Sequence, residues 1–255
     1  MSWPAIPWAR VSTMSATALR QADEQARSQF GIEAIQLMEV AGWQAARFID
    51  GFVGGVRGKR VSVVAGSGNN GGDALAAARF LHQRGALVRA SIVPARDPSS
   101  LAARHALTVT RLGIAVAVAP QAIDASADVI VDGLFGIGIR LPLRDPAPAI
   151  IQAMNASGVP IVAIDVPSGL DADDGAGGEH AVRAAATLTL VAPKPGLRRS
   201  PNAGRVFIAD LGMPVSVFST ERDALAELYQ IGDLVELIDP ELNSTTAVDP
   251  DTTPS

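Results

Sequence analysis

The chain has 255 residues, enough for one large α/β domain or two small ones, and with 48% hydrophobic residues and a mean hydropathy of +0.24 it can bury a sizeable core. Cysteine is absent, which excludes a disulfide framework, a thiolate metal site and a cysteine nucleophile. The formal charge of -5 is uneven, with nine acidic residues and one basic residue from Glu221 onward, so the acidity belongs to the C-terminal part and the body before it is mildly basic.

The opening MSWPAIPWARVS lacks the apolar core of a signal peptide, and no apolar run approaches the roughly 18 residues of a membrane span. A cytoplasmic protein is the expectation. Residues 1–11, with two prolines and two tryptophans, read as a loose surface segment. A polar helix is expected from Ser12 or Thr13 to about Phe30. A second, from Ile35 to Phe52, carries an apolar stripe of Leu37, Val40, Ala41, Trp43 and Ala45. Glycines at 51, 54, 55 and 58 break that pattern.

From Arg60 the pattern alternates. Strands are expected at 60–65, 87–93, 114–118, 128–132, 160–165, 186–191 and 205–210, and helices at 73–84, 98–111, 146–156 and 220–230. Such alternation predicts right-handed βαβ units and a mostly parallel sheet in a three-layer α/β/α, Rossmann-like domain. That domain would span residues 12–239, and the polar, proline-containing stretch 240–255 is expected to be disordered. No run of Lys/Arg with interleaved aromatics points to nucleic acid.

In an open parallel sheet, ligands bind beyond the carboxyl ends of the strands. Polar residues gather at several such ends. After the first strand comes GSGNNGGD, in which Gly66, Gly68 and Gly71 spell GxGxxG. An ordinary NAD site also requires an acidic residue near the end of the next strand, and LVRASIVPAR has none. No Gly-Lys-Ser/Thr follows, which excludes a Walker A loop. What remains is an oxygen-rich loop in which Asn69, Asn70 and Asp73 offer acceptors and the glycines let backbone amides approach a ligand. Turn chemistry, with Asp73 as a helix N-cap, is the simpler alternative.

Asp132 ends the apolar strand DVIVD, and Asp165 ends PIVAID before the turn Pro167-Ser168-Gly169. A carboxylate at such a place is costly unless it is paired or holds a cation, although each could also cap its own loop. Lys194, one of only two lysines, follows the strand TLTLV and could neutralise nearby carboxylates or bind phosphate. No GxSxG or HExxH spacing points to a catalytic triad or a zinc site.

With these pieces in order, the chain resembles the YjeF N-terminal domain family, the NAD(P)HX epimerases. The resemblance rests on QFGIEAIQLMEVAG, VVAGSGNNGGDALAAARFL, VDGLFGIGIRLPL, VAIDVPSGLDAD and VRAAATLTLVAPKPGL with GRVFIADLGMP, over roughly residues 15–215. It implies a Rossmann-like, usually homodimeric enzyme that interconverts the R and S forms of hydrated NADH and NADPH (NADHX and NADPHX). It implies a potassium ion (K+) held by Asn70, Asp132 and Ser168. Ligand contacts would come from Asn69, Asn70, Gly71, Gly72 and Asp73, from the loop Gly136, Ile137, Gly138, Ile139, Arg140, Leu141 and Pro142, and from Asp165. Asp165 is expected to be the main acid/base, with Asp73 or Lys194 as a second proton carrier. Larger members continue into an ADP/ATP-dependent dehydratase domain, so a separate NAD(P)HX dehydratase is the expected partner. The sequence departs from the family at Ile137, Leu141 and Asp145, where Thr and Gly are common. Two alternatives stand beside this reading: a catalytically inactive binding or scaffold module, and an NADP-dependent oxidoreductase.

Overall fold

The computed structural model describes residues 3–120, 123–218 and 221–239. In chain order the elements are β1 (Ala5–Pro7), α1 (Ala16–Phe30), α2 (Ala34–Phe52), β2 (Arg60–Ala65), α3 (Asn69–Gln83), β3 (Leu87–Ile92), α4 (Leu101–Arg111) and β4 (Ala115–Val118). They continue with β5 (Val129–Gly133), α5 (Ala147–Ala156), β6 (Ile161–Ile164), β7 (Ala186–Leu190), α6 (Pro195–Arg199), β8 (Arg205–Ala209), α7 (Arg222–Ile231) and β9 (Leu234–Ile238).

Among the described residues the strands form one sheet in the order β1-β9-β8-β7-β6-β5-β2-β3-β4. Every pairing is parallel except β8 with β9. The central strands are apolar runs because both faces of the sheet are covered. On one face Val63, Val131, Val162 and Ile164 pack in the larger core with residues of α2, α3 and α4. On the other, Val64, Ile130, Ile161 and Ala163 pack against Ile150, Ile151 and Met154 of α5. The result is the expected three-layer α/β fold.

The winding direction reverses between β2 and β5. From β2 the chain moves outward to β3 and β4, then returns to the other side of β2 as β5 and runs on toward β8. The crevice beyond the carboxyl ends of β2 and β5 is therefore the place where such a fold binds ligands. There Val64 pairs with Asp132 and Ala65 with Gly133.

Two differences from the sequence reading shape this region. Helix α3 begins at Asn69, four residues before the expected start, so NNGGD forms its first turn rather than a free loop. The glycines tolerate this because the turn is pressed onto the preceding strand end. A Cβ at Gly71 would lie 1.9 Å from the Gly66 carbonyl oxygen.

The second difference concerns the N-terminus. Residues 3–11 are not loosely held. β1 adds a parallel strand alongside β9, with Ala5 opposite Glu236. Ile6 and Trp8 are buried, and the Trp3 ring lies 5.1 Å from those of Phe48 and Phe207. Apolar side chains of this size gain more by covering the core than by facing water. Pro7 is tolerated because β1 is an edge strand. The stretch 240–255, read as disordered, lies outside the described residues.

Candidate active site

A cavity of about 650 Å³ opens at this switch point. Its walls come from α1, from the start of α3, and from the segments that follow β5, β6 and β7. Helix α1 is capped by Ser15, whose hydroxyl accepts from the Ala18 amide at 3.1 Å, and is stopped by Gly31 in the left-handed conformation. Its start is tied to the sheet end. The Met14 amide donates to the Pro193 carbonyl at 2.9 Å, and the Ala16 amide to Asp173 Oδ1 at 2.7 Å. Arg20 donates to the Ile137 carbonyl at 2.7 Å, joining α1 to the segment after β5.

Asp132, the penultimate residue of β5, is fully buried. Its Oδ1 accepts from Ser168 Oγ at 2.6 Å and from the Leu134 amide at 3.1 Å, and its Oδ2 from the Ser168 amide at 2.8 Å. Burial pushes this carboxyl up to about 6, against those hydrogen bonds, which pull it down. The Phe135 amide donates to Ser168 Oγ at 2.8 Å, and Asn70 Nδ2 donates to the Phe135 carbonyl at 2.8 Å and to the Ile164 carbonyl at 3.1 Å. Asn70, Asp132 and Ser168 are thus joined through the residue-135 peptide. Asn70 Oδ1 is left buried with no hydrogen-bond partner among the described residues. An orphaned acceptor costs free energy unless something fills its valence. The donors here are amide, hydroxyl, carboxylate and carbonyl oxygens, a set suited to a hard cation and not to a thiophilic or imidazole-bound metal.

Asp165 follows β6 with φ at 69°, and Val191 follows β7 with φ at 66°; both are non-glycine residues in the left-handed region, and both line the cavity. Conformations of this kind cluster where function constrains the backbone. Lys194, the most buried cation of the site at 1% exposure, places its ammonium against Asp165 Oδ1. The same ammonium donates to Thr189 Oγ1 at 2.9 Å and to the Leu190 carbonyl at 2.8 Å. The Ile137 amide donates to Asp165 Oδ2 at 3.2 Å. A Cβ at Gly136 would come within 2.6 Å of that same oxygen, so the segment can lie this close only as glycine.

Asp73 is 8% exposed, lines the cavity, and makes no side-chain hydrogen bond among the described residues. Burial, reinforced by the carboxyls of Asp165 and Asp23, holds it well above the usual carboxylate range. Asp23 projects from α1 into the same cavity. Partial desolvation raises its carboxyl, the Lys194 ammonium opposes that rise, and Asp165 adds to it.

The sequence-predicted residues divide accordingly. Asn69, Asn70, Asp73, Gly136, Ile137, Gly138, Asp165 and Lys194 line one cavity. Asp132 and Ser168 lie beneath it. Gly71 and Gly72 form its backing, packed against Gly66 and Met38 rather than facing the space. Of the expected ligand loop, only Gly136, Ile137 and Gly138 line this cavity. Ile139 and Arg140 line neither this cavity nor a second one of about 770 Å³, and Leu141 and Pro142 line the second. Lys194 has an acceptor for each of its three N–H groups, Asp165 among them. Sequence reasoning missed the α1 wall: Leu19, Arg20, Asp23, Glu24 and Arg27. Their spacing of three and four residues, on a helix read only as polar, is the signal that marks one face.

Fold and site together define a Rossmann-like α/β domain whose cavity at the topological switch point joins apolar walls to a group of carboxyls around a buried lysine. Residues 34–196 match the family described as YjeF-related protein N-terminus, and the chain belongs to that family. It is 34% identical over 219 residues to a Rhodopirellula baltica protein named NAD(P)H-hydrate epimerase, covering 83% of this chain and 88% of that one. It is 38% identical over 163 residues to a Mycobacterium tuberculosis protein named bifunctional NAD(P)H-hydrate repair enzyme Nnr, covering 64% of this chain. The match takes in only 33% of that longer relative. The crystal structure of yeast ynu0 superposes with a TM-score of 0.76 at 23% identity, covering 89% of this chain and all of that one, which supports the fold. No helix among the described residues is long and apolar enough to cross a membrane.

Proposed function

We propose that this chain is an NAD(P)H-hydrate epimerase, interconverting the R and S forms of NADHX and NADPHX. The observation that carries the reading is the Asp165–Lys194 pair with Asp73 beside it in one cavity, in a chain similar over most of its length to a protein named for this activity. The reacting carbon bears a hydroxyl next to the ring nitrogen. The nitrogen lone pair helps expel that hydroxyl as water, giving a planar iminium, and water returns on the other face. The step needs a proton for the leaving oxygen and negative charge near the developing cation. Asp73, whose hold on its proton is strengthened by burial and by its carboxyl neighbours, supports the first need. Asp165, held by Lys194 and the Ile137 amide, faces the second and exchanges the proton with the substrate oxygen.

The same proposal includes a potassium ion bound by Asn70, Asp132 and Ser168. The unpartnered Asn70 Oδ1 supports it. Bound there, the ion would neutralise the buried carboxylate of Asp132 and fix the 135 segment. The proposal extends to a homodimer and to a separate dehydratase acting on the same hydrated cofactor. The inactive-module reading is less well supported, because the cavity's carboxyls and its buried lysine are intact. A reductase has no need of the Asn70–Asp132–Ser168 cluster.

The test is direct. Partly hydrated NADH, resolved chromatographically into its epimers, is followed after one epimer has been depleted. Restoration of the ratio faster than in a protein-free blank supports the activity. No acceleration, with or without potassium, overturns it.

A further inference from the structure

Inversion at one carbon by loss and return of water makes demands on both faces of the planar intermediate. On the first face the C–O bond breaks, its electron pair leaves with the oxygen, and an acid supplies one proton. On the second face a water oxygen bonds to the carbon, the C=N electrons return to the ring nitrogen, and a base accepts one proton. Asp165, Lys194 and Asp73 come from the sheet end and the start of α3. The other polar wall is α1, and Asp23 is the α1 carboxyl whose electrostatic neighbours are Asp165, Lys194 and Asp73.

We propose that Asp23 is a second proton carrier of the epimerisation, serving the ring face turned away from Asp165. The inference rests on the epimerase reading. Helix α1 is positioned for this work. Its ties to Pro193, Asp173 and Ile137 anchor it to the segments that carry Lys194, follow Asp165 and contact the Asp165 carboxylate. Asp73 supplies an independent sign of a ligand, being more than nine-tenths buried, unpartnered and open to the same cavity. Each turnover moves one proton from the Asp165 side to Asp23. Mutual proximity of the three carboxyls gives a return route. The charged groups facing Asp23 are Arg20, Glu24 and Arg27 on its own helix, Asp73 on α3, and Asp165 and Lys194 at the sheet end.

The experiment compares wild type with Asp23→Asn in water enriched in the heavy oxygen isotope. Inversion of the epimers and incorporation of solvent oxygen are followed separately. Asp23 is exposed to the cavity, so the variant is expected to fold, and an unchanged thermal midpoint checks this. The expected result is a fall of about 100-fold in kcat for inversion, KM little changed. Solvent oxygen would still enter the epimer whose hydroxyl faces Asp165, with retention of configuration. Unchanged inversion in Asp23→Asn overturns the inference, and so does equal loss of exchange and inversion. A wild type no faster than the blank would instead overturn the epimerase reading itself.

Discussion

The ammonium of Lys194 is fully occupied: one N–H meets the Asp165 carboxylate, and the other two are taken by Thr189 Oγ1 and the Leu190 carbonyl. The lysine carries no free donor for a substrate phosphate. Its work is to fix one carboxylate that stands in a left-handed backbone conformation at the end of β6.

Replacing Lys194 with Met should therefore damage stability and activity together. The aliphatic stem is kept, but a buried carboxylate loses its counter-charge, at a cost of about 3 kcal/mol. For a domain of this size that lowers the midpoint by roughly 6–12 °C, measurable by calorimetry. Arginine should not restore activity, because a planar guanidinium does not fit a three-acceptor cradle shaped for an ammonium. Recovery of wild-type turnover in Lys194→Arg would contradict this account.

Gly136→Ala tests the same carboxylate from its other oxygen. The added methyl would sit 2.6 Å from Asp165 Oδ2, an atom already held by the Ile137 amide. Either the carboxylate or the 136–138 segment must shift. Displacement by about 1 Å at a reacting group typically costs on the order of 100-fold in rate. The expected signature is a large fall in kcat with a small change in thermal midpoint, measured on the same preparation.

Much of this site could be read from the sequence where a residue's neighbours along the chain determine its environment. Asp132 and Asp165 each end a run of apolar strand residues, so their burial and their place at the carboxyl edge follow from the run itself. The alternation from Arg60 onward gave the parallel sheet for the same reason. What depends on distant partners was hidden. Asp23 faces the cavity because α1 is held by partners distant in the chain, among them Asp173, which is 157 residues beyond the Ala16 amide it accepts from. β9 carries Glu236 among its apolar residues and becomes a strand by pairing with β8 and β1. The stretch 136–142 looked like one binding loop, yet the backbone leaves the cavity after Gly138 and delivers Leu141 to a separate space.

The orphaned Asn70 Oδ1 predicts a cation effect on stability. With ionic strength held constant, replacing sodium by potassium should raise the thermal midpoint of the wild type. Asn70→Ala and Ser168→Ala should each remove that difference. An ion that binds only the folded state adds about 2.7 kcal/mol at 100 times its dissociation constant, well within reach of a thermal scan. Identical midpoints in the two salts for the wild type would remove the support for a potassium site.

Asp73 makes a prediction whose sign depends on pH. Its folded value lies well above the ordinary 3.8, because burial and the Asp165 and Asp23 carboxyls disfavour its charge. A carboxyl raised in this way binds its proton more tightly in the folded state than in the unfolded chain. Its contribution to stability is therefore greatest below the unfolded value and is lost as pH rises toward the folded one. Asp73→Asn keeps the shape and removes the penalty, so the variant should be more stable than the wild type at pH 7. The gap should close as pH falls toward 4. Activity should move the other way. If protonated Asp73 supplies the proton for the departing oxygen, the wild-type kcat falls on the alkaline side, and in Asp73→Asn that limb flattens at a rate about 100-fold lower. Paired unfolding curves and rate profiles across pH check both halves. A variant that is less stable than wild type at neutral pH, or that keeps the alkaline limb, would show that Asp73 serves the fold rather than the reaction.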